Sequence, residues 1–286
     1  MSTDFFRPAS LREAVETKAA HPDATPIAGG TDVMVELNFD RRPPGALLDL
    51  TAVPELACWE RTGDGVRLGA AVTYTTVIEQ LGVLLPALAF AARTVGSPQI
   101  RNRGTVGGNL GAGSPAGDSH PPLLATGAEV ELVSVRGTRT VAATDFYVGA
   151  KRTALAPDEL IAAVLVPLVP GPQQFAKIGP RNAMVIAVCS FALALDPAHQ
   201  RVGTGIGSAG PTPLRAPDAE ELLANELPWQ RRDRLGDAVA QRFGELVAAA
   251  ATPIDDVRGT ARYRRHALAV LARRCLLWTW EELRCA

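Results

Sequence analysis

Cysteine is scarce in this chain and never clustered. Cys58, Cys189, Cys275 and Cys285 stand far apart, with no C-x-x-C pair and no ferredoxin spacing. An iron–sulfur cluster needs four thiolates in a compact arrangement, so none is expected on this polypeptide. His21, His120, His199 and His266 likewise lack metal-ligand spacing. Neither sign of charge is in excess: the formal net charge of −1 argues against a general nucleic-acid surface, which needs a basic face. No uncharged apolar run approaches the roughly 20 residues of a membrane span. The opening residues carry no basic segment followed by an apolar stretch, so the expectation is no signal peptide and a cytoplasmic protein. A hydrolytic centre is also unsupported. Ser114, Ser119 and His120 are close in sequence, but no G-x-S-x-G elbow precedes a helix and no third group orients a base.

What is present is glycine, concentrated in one place. Residues 101–118 hold six glycines (Gly104, Gly107, Gly108, Gly111, Gly113, Gly117) and Pro115, a composition that predicts a loop in place of a regular helix. Exposed N–H groups in such a loop form a concavity for anions, phosphates above all. A shorter loop of the same kind runs from Pro26 to Val33 through Gly29-Gly30. Two ordinary tight turns would explain both; two turns gripping one diphosphate is the sharper reading.

At 286 residues the chain has room for two compact domains, and 47% hydrophobic with 21% charged residues is ordinary for a globular protein. Ser10 with Glu13 reads as a capping box for a helix over Leu11 to Ala20. Strands are predicted at Pro26–Ala28 and Ala46–Leu50, with a short helix or turn over Asp32–Leu37 between them. Further strands follow at Val66–Ala70, Glu129–Val135 and Thr138–Ala142. Helical character spans Thr75 to Ala92, broken by Gly82 and Pro86. Pro167 to Pro172 is the clearest linker. Beyond it, Phe175–Ile178, Val185–Leu195 and Val202–Gly207 suggest an antiparallel sheet. Helices are expected at Asp218–Leu223, Arg231–Ala251 and Thr260–Leu283. The class is α+β. Gly205-Ile206-Gly207-Ser208-Ala209-Gly210 fits the dinucleotide fingerprint G-x-G-x-x-G, but Pro211 and Pro213 oppose the helix that must follow. The arginines of the last helix (Arg258, Arg262, Arg264, Arg265, Arg273, Arg274), with Trp278 and Trp280 beside them, suit a solvated face or a subunit-docking surface.

Thr105-Val106-Gly107-Gly108-Asn109 followed by Ser114-Pro115-Ala116-Gly117-Asp118 closely resembles the FAD-binding subunit of molybdenum hydroxylases. That family includes xanthine dehydrogenases, carbon monoxide dehydrogenases and relatives that oxidise aldehydes and N-heterocycles. Ala28-Gly29-Gly30-Thr31-Asp32 is similar to the family's first flavin loop. Phe146-Tyr147-Val148-Gly149, Pro157-Asp158-Glu159-Leu160-Ile161 and Val166-Pro167 look like its linker to the last domain. Phe175–Met184, Ala209–Ala216 and Asp255–Arg264 resemble that domain, so the likeness runs from about residue 4 to 275.

The resemblance implies a two-lobed, PCMH-like FAD-binding domain over 1–170 (lobes about 1–55 and 56–170) and a C-terminal sheet-plus-helices domain over 173–286. It implies FAD contacts from Pro26, Ile27, Ala28, Gly29, Gly30, Thr31, Asp32 and Val33, with amides of the loop directed at the pyrophosphate. Thr105, Val106, Gly107, Gly108 and Asn109 would close on the same phosphates with a hydroxyl and amides. Asp118 would accept from ribityl or ribose hydroxyls, or else act as a helix N-cap, and Ser114 would add a hydroxyl. Val95, Ile161 and Lys177 would lie near the isoalloxazine; Lys177 as a solvated strand residue is the bland alternative. Where a relative's aromatic ring could stack on the cofactor, Val95 offers only apolar contact. The function implied is an FAD-carrying electron-transfer subunit with no catalytic residue and no metal of its own. A large molybdenum-cofactor subunit and a small [2Fe-2S] subunit would be its partners, and NAD, dioxygen or a carrier its acceptor. A self-sufficient flavin oxidase or reductase and a cofactor-free scaffold subunit are the alternatives.

Overall fold

A computed structural model describes residues 4–39 and 45–286. The chain opens with β1 (Asp4–Phe6), α1 (Leu11–Ala20), β2 (Thr25–Ile27), α2 (Val33–Asn38) and β3 (Ala46–Asp49). The three strands form a parallel sheet in the order β1-β3-β2, pairing Phe5 with Leu47 and Pro26 with Leu48. Ser10 caps α1 as predicted, its hydroxyl accepting from the Glu13 N–H. Glu13 reaches back to the N–H of Ala9, one residue upstream of the usual partner. The ammonium of buried Lys18 donates to the carbonyls of Pro22 and Ala24, fastening the turn between α1 and β2.

A second unit follows: β4 (Trp59–Thr62), β5 (Gly65–Gly69), α3 (Tyr74–Gln80), α4 (Pro86–Thr94), α5 (Pro98–Arg103), α6 (Val106–Ala112), α7 (His120–Thr126), β6 (Glu129–Ser134), β7 (Gly137–Ala142), α8 (Ala143–Phe146), β8 (Tyr147–Gly149), β9 (Arg152–Thr153) and β10 (Leu160–Pro167). The five-stranded sheet is antiparallel with the order β4-β5-β10-β6-β7, and β8 pairs with β9 in a separate two-stranded ribbon. The stretch read as a linker therefore contains the central strand. Leu160 to Val164 are buried without alternation, because both faces of β10 are covered, and period-2 patterning has nothing to mark in such a strand.

The third unit comprises β11 (Gln173–Ile178), β12 (Cys189–Asp196), β13 (Arg201–Gly207), α9 (Pro217–Glu226), α10 (Asp237–Ala250) and α11 (Ala261–Cys285). Its sheet is antiparallel in chain order. Two expectations were too generous. Residues 185–188 lie outside β12, since the chain turns at Met184 with φ of 51° and rejoins the sheet where the Val188 N–H meets the Ile178 carbonyl. Residues 231–236 are not helical: Arg232 has φ of 52°, and its side chain and the Asp233 carbonyl bind the far end of α11 at Leu283 and Trp280.

Both faces of this third sheet are covered. Phe191, Leu193 and Leu195 pack with Phe243, Leu268 and Leu276 on the helical side. Ala192 and Ala194 turn the other way, towards Ala91 of α4 and Ala125 of α7. On that side β13 presents Gly203, Gly205 and Gly207. A Cβ on Gly203 would lie 1.9 Å from the Ala125 carbonyl oxygen, and one on Gly205 2.0 Å from that of Pro121. The run that mimics a dinucleotide fingerprint is thus a smooth strand face on which the backbone of α7 rests. Among the described residues no helix is long and apolar enough to cross a membrane.

Candidate functional site

The loop after β2 is pressed against the junction of α5 and α6. A Cβ on Gly29 would fall 1.9 Å from the Arg103 carbonyl oxygen, so only glycine allows the contact. Among the described residues, no protein acceptor takes the N–H of Ala28, Gly29, Gly30, Thr31, Asp32 or Val33. A run of unsatisfied amides beside a helix junction is a donor set for an anion. Asp32 closes this loop, its carboxyl pushed up by burial and by Glu36 and eased down by Lys151.

The glycine-rich run is not the loop its composition predicts. Ser97 accepts from the Ile100 N–H to start α5 with Pro98 in its first turn, and Thr105 accepts from Gly108 at 2.9 Å to start α6. Val106 donates to the Val72 carbonyl, Gly107 to that of Ala70 and Asn109 to that of Thr105. The amides from Val106 to Asn109 are therefore already used, contrary to the expectation that they face phosphates. The glycines serve packing: a Cβ on Gly107 would meet that of Ala70 at 2.5 Å. Docking against the chain just after β5 outweighs helix propensity, which costs about 1 kcal/mol per glycine.

After Gly113 ends α6 in the left-handed conformation, a tight turn delivers Asp118. The Ser114 carbonyl accepts from the Gly117 N–H, and the Ser114 hydroxyl from Ala116. Ser208, from beyond β13, donates its N–H to the Pro115 carbonyl at 2.8 Å. Asp118 does not cap α7; Ser119 holds that position without a side-chain cap bond, its hydroxyl donating to Asn109. Its carboxylate instead accepts from Lys177 at 2.5 Å and from the Thr94 hydroxyl at 3.1 Å, both through Oδ2. Oδ1 is buried and has no partner among the described residues. Burial raises the Asp118 carboxyl, while Lys177 and Thr94 pull it down. Lys177 is not a solvated strand residue: its side chain is 7% exposed and also donates to the Thr94 carbonyl.

Val95 follows α4 in extended geometry, half-buried, and its carbonyl accepts from Arg101 at 3.0 Å. Ile161 lies buried on β10, its Cδ1 3.6 Å from where a Cβ on Gly111 would stand. The Asn109 side chain accepts from Ser119, whose hydroxyl takes a bond from Tyr74. Thr94, Arg101 and Tyr74 were not singled out in the sequence, and Tyr147 stood only in the motif read as part of the linker. His120 had only its proximity to Ser114, and its Nε2 bonds the Ser114 carbonyl, not the hydroxyl.

Residues 1–169 match the FAD binding domain in molybdopterin dehydrogenase, and residues 174–279 the CO dehydrogenase flavoprotein C-terminal domain. The chain belongs to the FAD-binding medium subunits of the molybdenum hydroxylases. It is 34% identical over 279 residues to the nicotine 6-hydroxylase medium subunit of Paenarthrobacter nicotinovorans, covering 96% of this chain and 95% of that protein. It is 32% identical over 288 residues to the carbon monoxide dehydrogenase medium chain of Afipia carboxidovorans, with 96% of each covered. Carbon monoxide dehydrogenase from Hydrogenophaga pseudoflava superposes with a TM-score of 0.90 at 28% identity, over 100% of this chain and 99% of that one. Quinoline 2-oxidoreductase from Pseudomonas putida 86 gives 0.90 at 25% identity over 99% of each.

The residues of this flavoprotein suit its family's cofactor. The unsatisfied amides from Ala28 to Val33 match a pyrophosphate's need for fixed donors, and the orphaned Asp118 Oδ1 matches a hydroxyl's need for an acceptor.

Proposed function

We propose that this chain is the electron-transfer component of a multi-subunit molybdenum hydroxylase. In this reading it links iron–sulfur clusters on a small partner to a final acceptor: NAD, dioxygen or a carrier. The substrate would be oxidised on a large partner that holds the molybdenum cofactor. The observation that carries the reading is the loop from Ala28 to Val33, whose amides face no protein acceptor although the loop is packed against α5 and α6. Pro26 to Val33 hold the pyrophosphate through backbone N–H groups. Thr105 to Asn109 shape the opposite wall more than they donate. Asp118 receives a sugar or ribityl hydroxyl at Oδ1, and Ser114 stands beside it. Val95 and Ile161 supply apolar contact to the ring, and Lys177 places positive charge near it. When bound, the flavin takes up electrons singly and releases them in pairs.

The flavin-binding part runs to about residue 170, in lobes meeting near residue 55, and the C-terminal part from about 173 carries Lys177. Four unpaired cysteines suit a reducing cytoplasm. The test mixes the FAD-loaded chain anaerobically with a reduced iron–sulfur partner and follows the flavin absorption. Bleaching supports the reading. A chain that oxidises a substrate alone points to a self-sufficient oxidase, and one that assembles with partners but holds no flavin points to a scaffold.

A further inference from the structure

We infer that His120 and Tyr147 are positioning residues of the flavin site, holding the Ser114–Asp118 turn in the shape that presents the free Asp118 oxygen. The inference rests on the flavin reading above. His120 is fully buried at the start of α7, two residues after Asp118. Its Nε2 lies 3.0 Å from the Ser114 carbonyl oxygen. A carbonyl only accepts, so Nε2 carries the hydrogen. In the neutral ring Nδ1 is then bare, and the Tyr147 hydroxyl 2.6 Å away donates to it. Burial supports this state by pushing the imidazole down to about 4.

The order of donation is thereby set: Tyr147 to His120, His120 to Ser114. The same Ser114 carbonyl accepts from the Gly117 N–H at 3.0 Å, so one oxygen ties the turn to itself and to the ring. Gly117 leaves the space the imidazole fills, since a Cβ there would sit 2.2 Å from Nε2. Tyr147 is buried on β8, its ring 4.7 Å from that of His120 and edge-on to Phe146 at 5.2 Å. Neither side chain reaches the free oxygen of Asp118. Their effect passes through the turn, whose other side is held by Ser208.

The experiment uses the full chain stripped of cofactor, as wild type, His120→Ala, His120→Gln and Tyr147→Phe. Each is titrated with FAD by quenching of flavin fluorescence. Hydrogen exchange of the segment 110–119 is measured without FAD. A glutamine amide reaches the place of Nε2 and restores the donor. The expectation for His120→Ala is FAD affinity about tenfold weaker, the size of one lost hydrogen bond. His120→Gln stays within about threefold of wild type. Tyr147→Phe falls between them, because the bare Nδ1 no longer enforces the Nε2–H tautomer. Exchange in the turn accelerates in the alanine and phenylalanine variants and recovers in the glutamine variant.

Wild-type affinity and wild-type protection in both His120→Ala and Tyr147→Phe would overturn the inference. So would a glutamine variant as poor as alanine beside an unaffected Tyr147→Phe, since ring volume alone would then explain the site. If His120→Ala fails to fold, Tyr147→Phe and His120→Gln decide. A wild-type chain that takes up no FAD refutes the flavin reading, and the exchange comparison then decides on the turn by itself.

Discussion

Lys177 and Asp118, 59 residues apart, meet with Nζ 2.5 Å from Oδ2, and each side chain is 7% exposed. One comes from β11 and the other from the turn before α7, so the contact joins the third unit to the second. Removing one member of a buried pair leaves the other charge uncompensated, at a cost of about 3–5 kcal/mol. Lys177→Met should lose stability of that order in urea unfolding of the cofactor-free chain. Adding Asp118→Asn should recover part of it. A double variant weaker than the single by the full second cost would show that the two groups do not act as a pair.

Gly29→Ala tests the first loop. The new methyl group would have to displace the Arg103 carbonyl or the loop itself, since the two would stand 1.9 Å apart. The expected result is FAD affinity at least about tenfold weaker, because the donor set loses its shape. Unchanged affinity in a fluorescence titration would remove this loop from the cofactor site.

Stability against pH tests the state of His120. Its folded value is about 4 against 6.5 in the ordinary state, so the unfolded chain binds a proton in that window and the folded chain does not. The protein therefore loses stability as pH falls from about 6.5 to about 4, by roughly 3 kcal/mol for this residue. Asp118, raised by burial, works in the opposite sense but is shared by wild type and variant. His120→Gln should flatten the decline measured by chemical unfolding at each pH. Parallel curves for the two proteins would mean the imidazole is charged, or solvated, when folded.

Gly205→Val tests the seat of α7 on β13. A Cβ there would lie 2.0 Å from the Pro121 carbonyl oxygen. Overpacking of this kind costs about 1–3 kcal/mol, with more where backbone stands on both sides. Thermal unfolding should show the loss; an unchanged midpoint would mean that α7 and β13 do not pack this closely in solution.

Elements with a clear period or a clear cap were legible in the sequence. α1 announced itself by Ser10 and Glu13, and α11 follows Thr260, which caps it. β10 was not legible, because a strand buried on both faces has no alternation to read. Residues 106–112 misled for a related reason. Gly107 packs against Ala70 and Gly111 stands beside Ile161, partners that local composition does not reveal. In the arginine-rich C-terminal segment Arg258, Arg262, Arg265, Arg273 and Arg274 are exposed, as a solvated or docking face requires, whereas Arg264 is buried and bonds Asp256 and the carbonyls of Val188 and Ser208. Trp280 is buried beside Trp229, while Trp278 stays exposed.

The site divides the same way. Resemblance brought Asp118 and Lys177 to notice separately, but nothing in their spacing pairs them. Thr94, 24 residues from Asp118, is a third member with no motif at all. Such contacts arise where α4, the turn before α7 and β11 converge, which is a property of the packed chain.

Whether this chain holds a flavin is read from its cofactor content, measured on the chain purified alone by its visible spectrum, with the released compound identified after denaturation. The expected result is bound FAD at one molecule per chain, or its stoichiometric uptake by the stripped protein. A colourless chain that also fails to take up added FAD would contradict it.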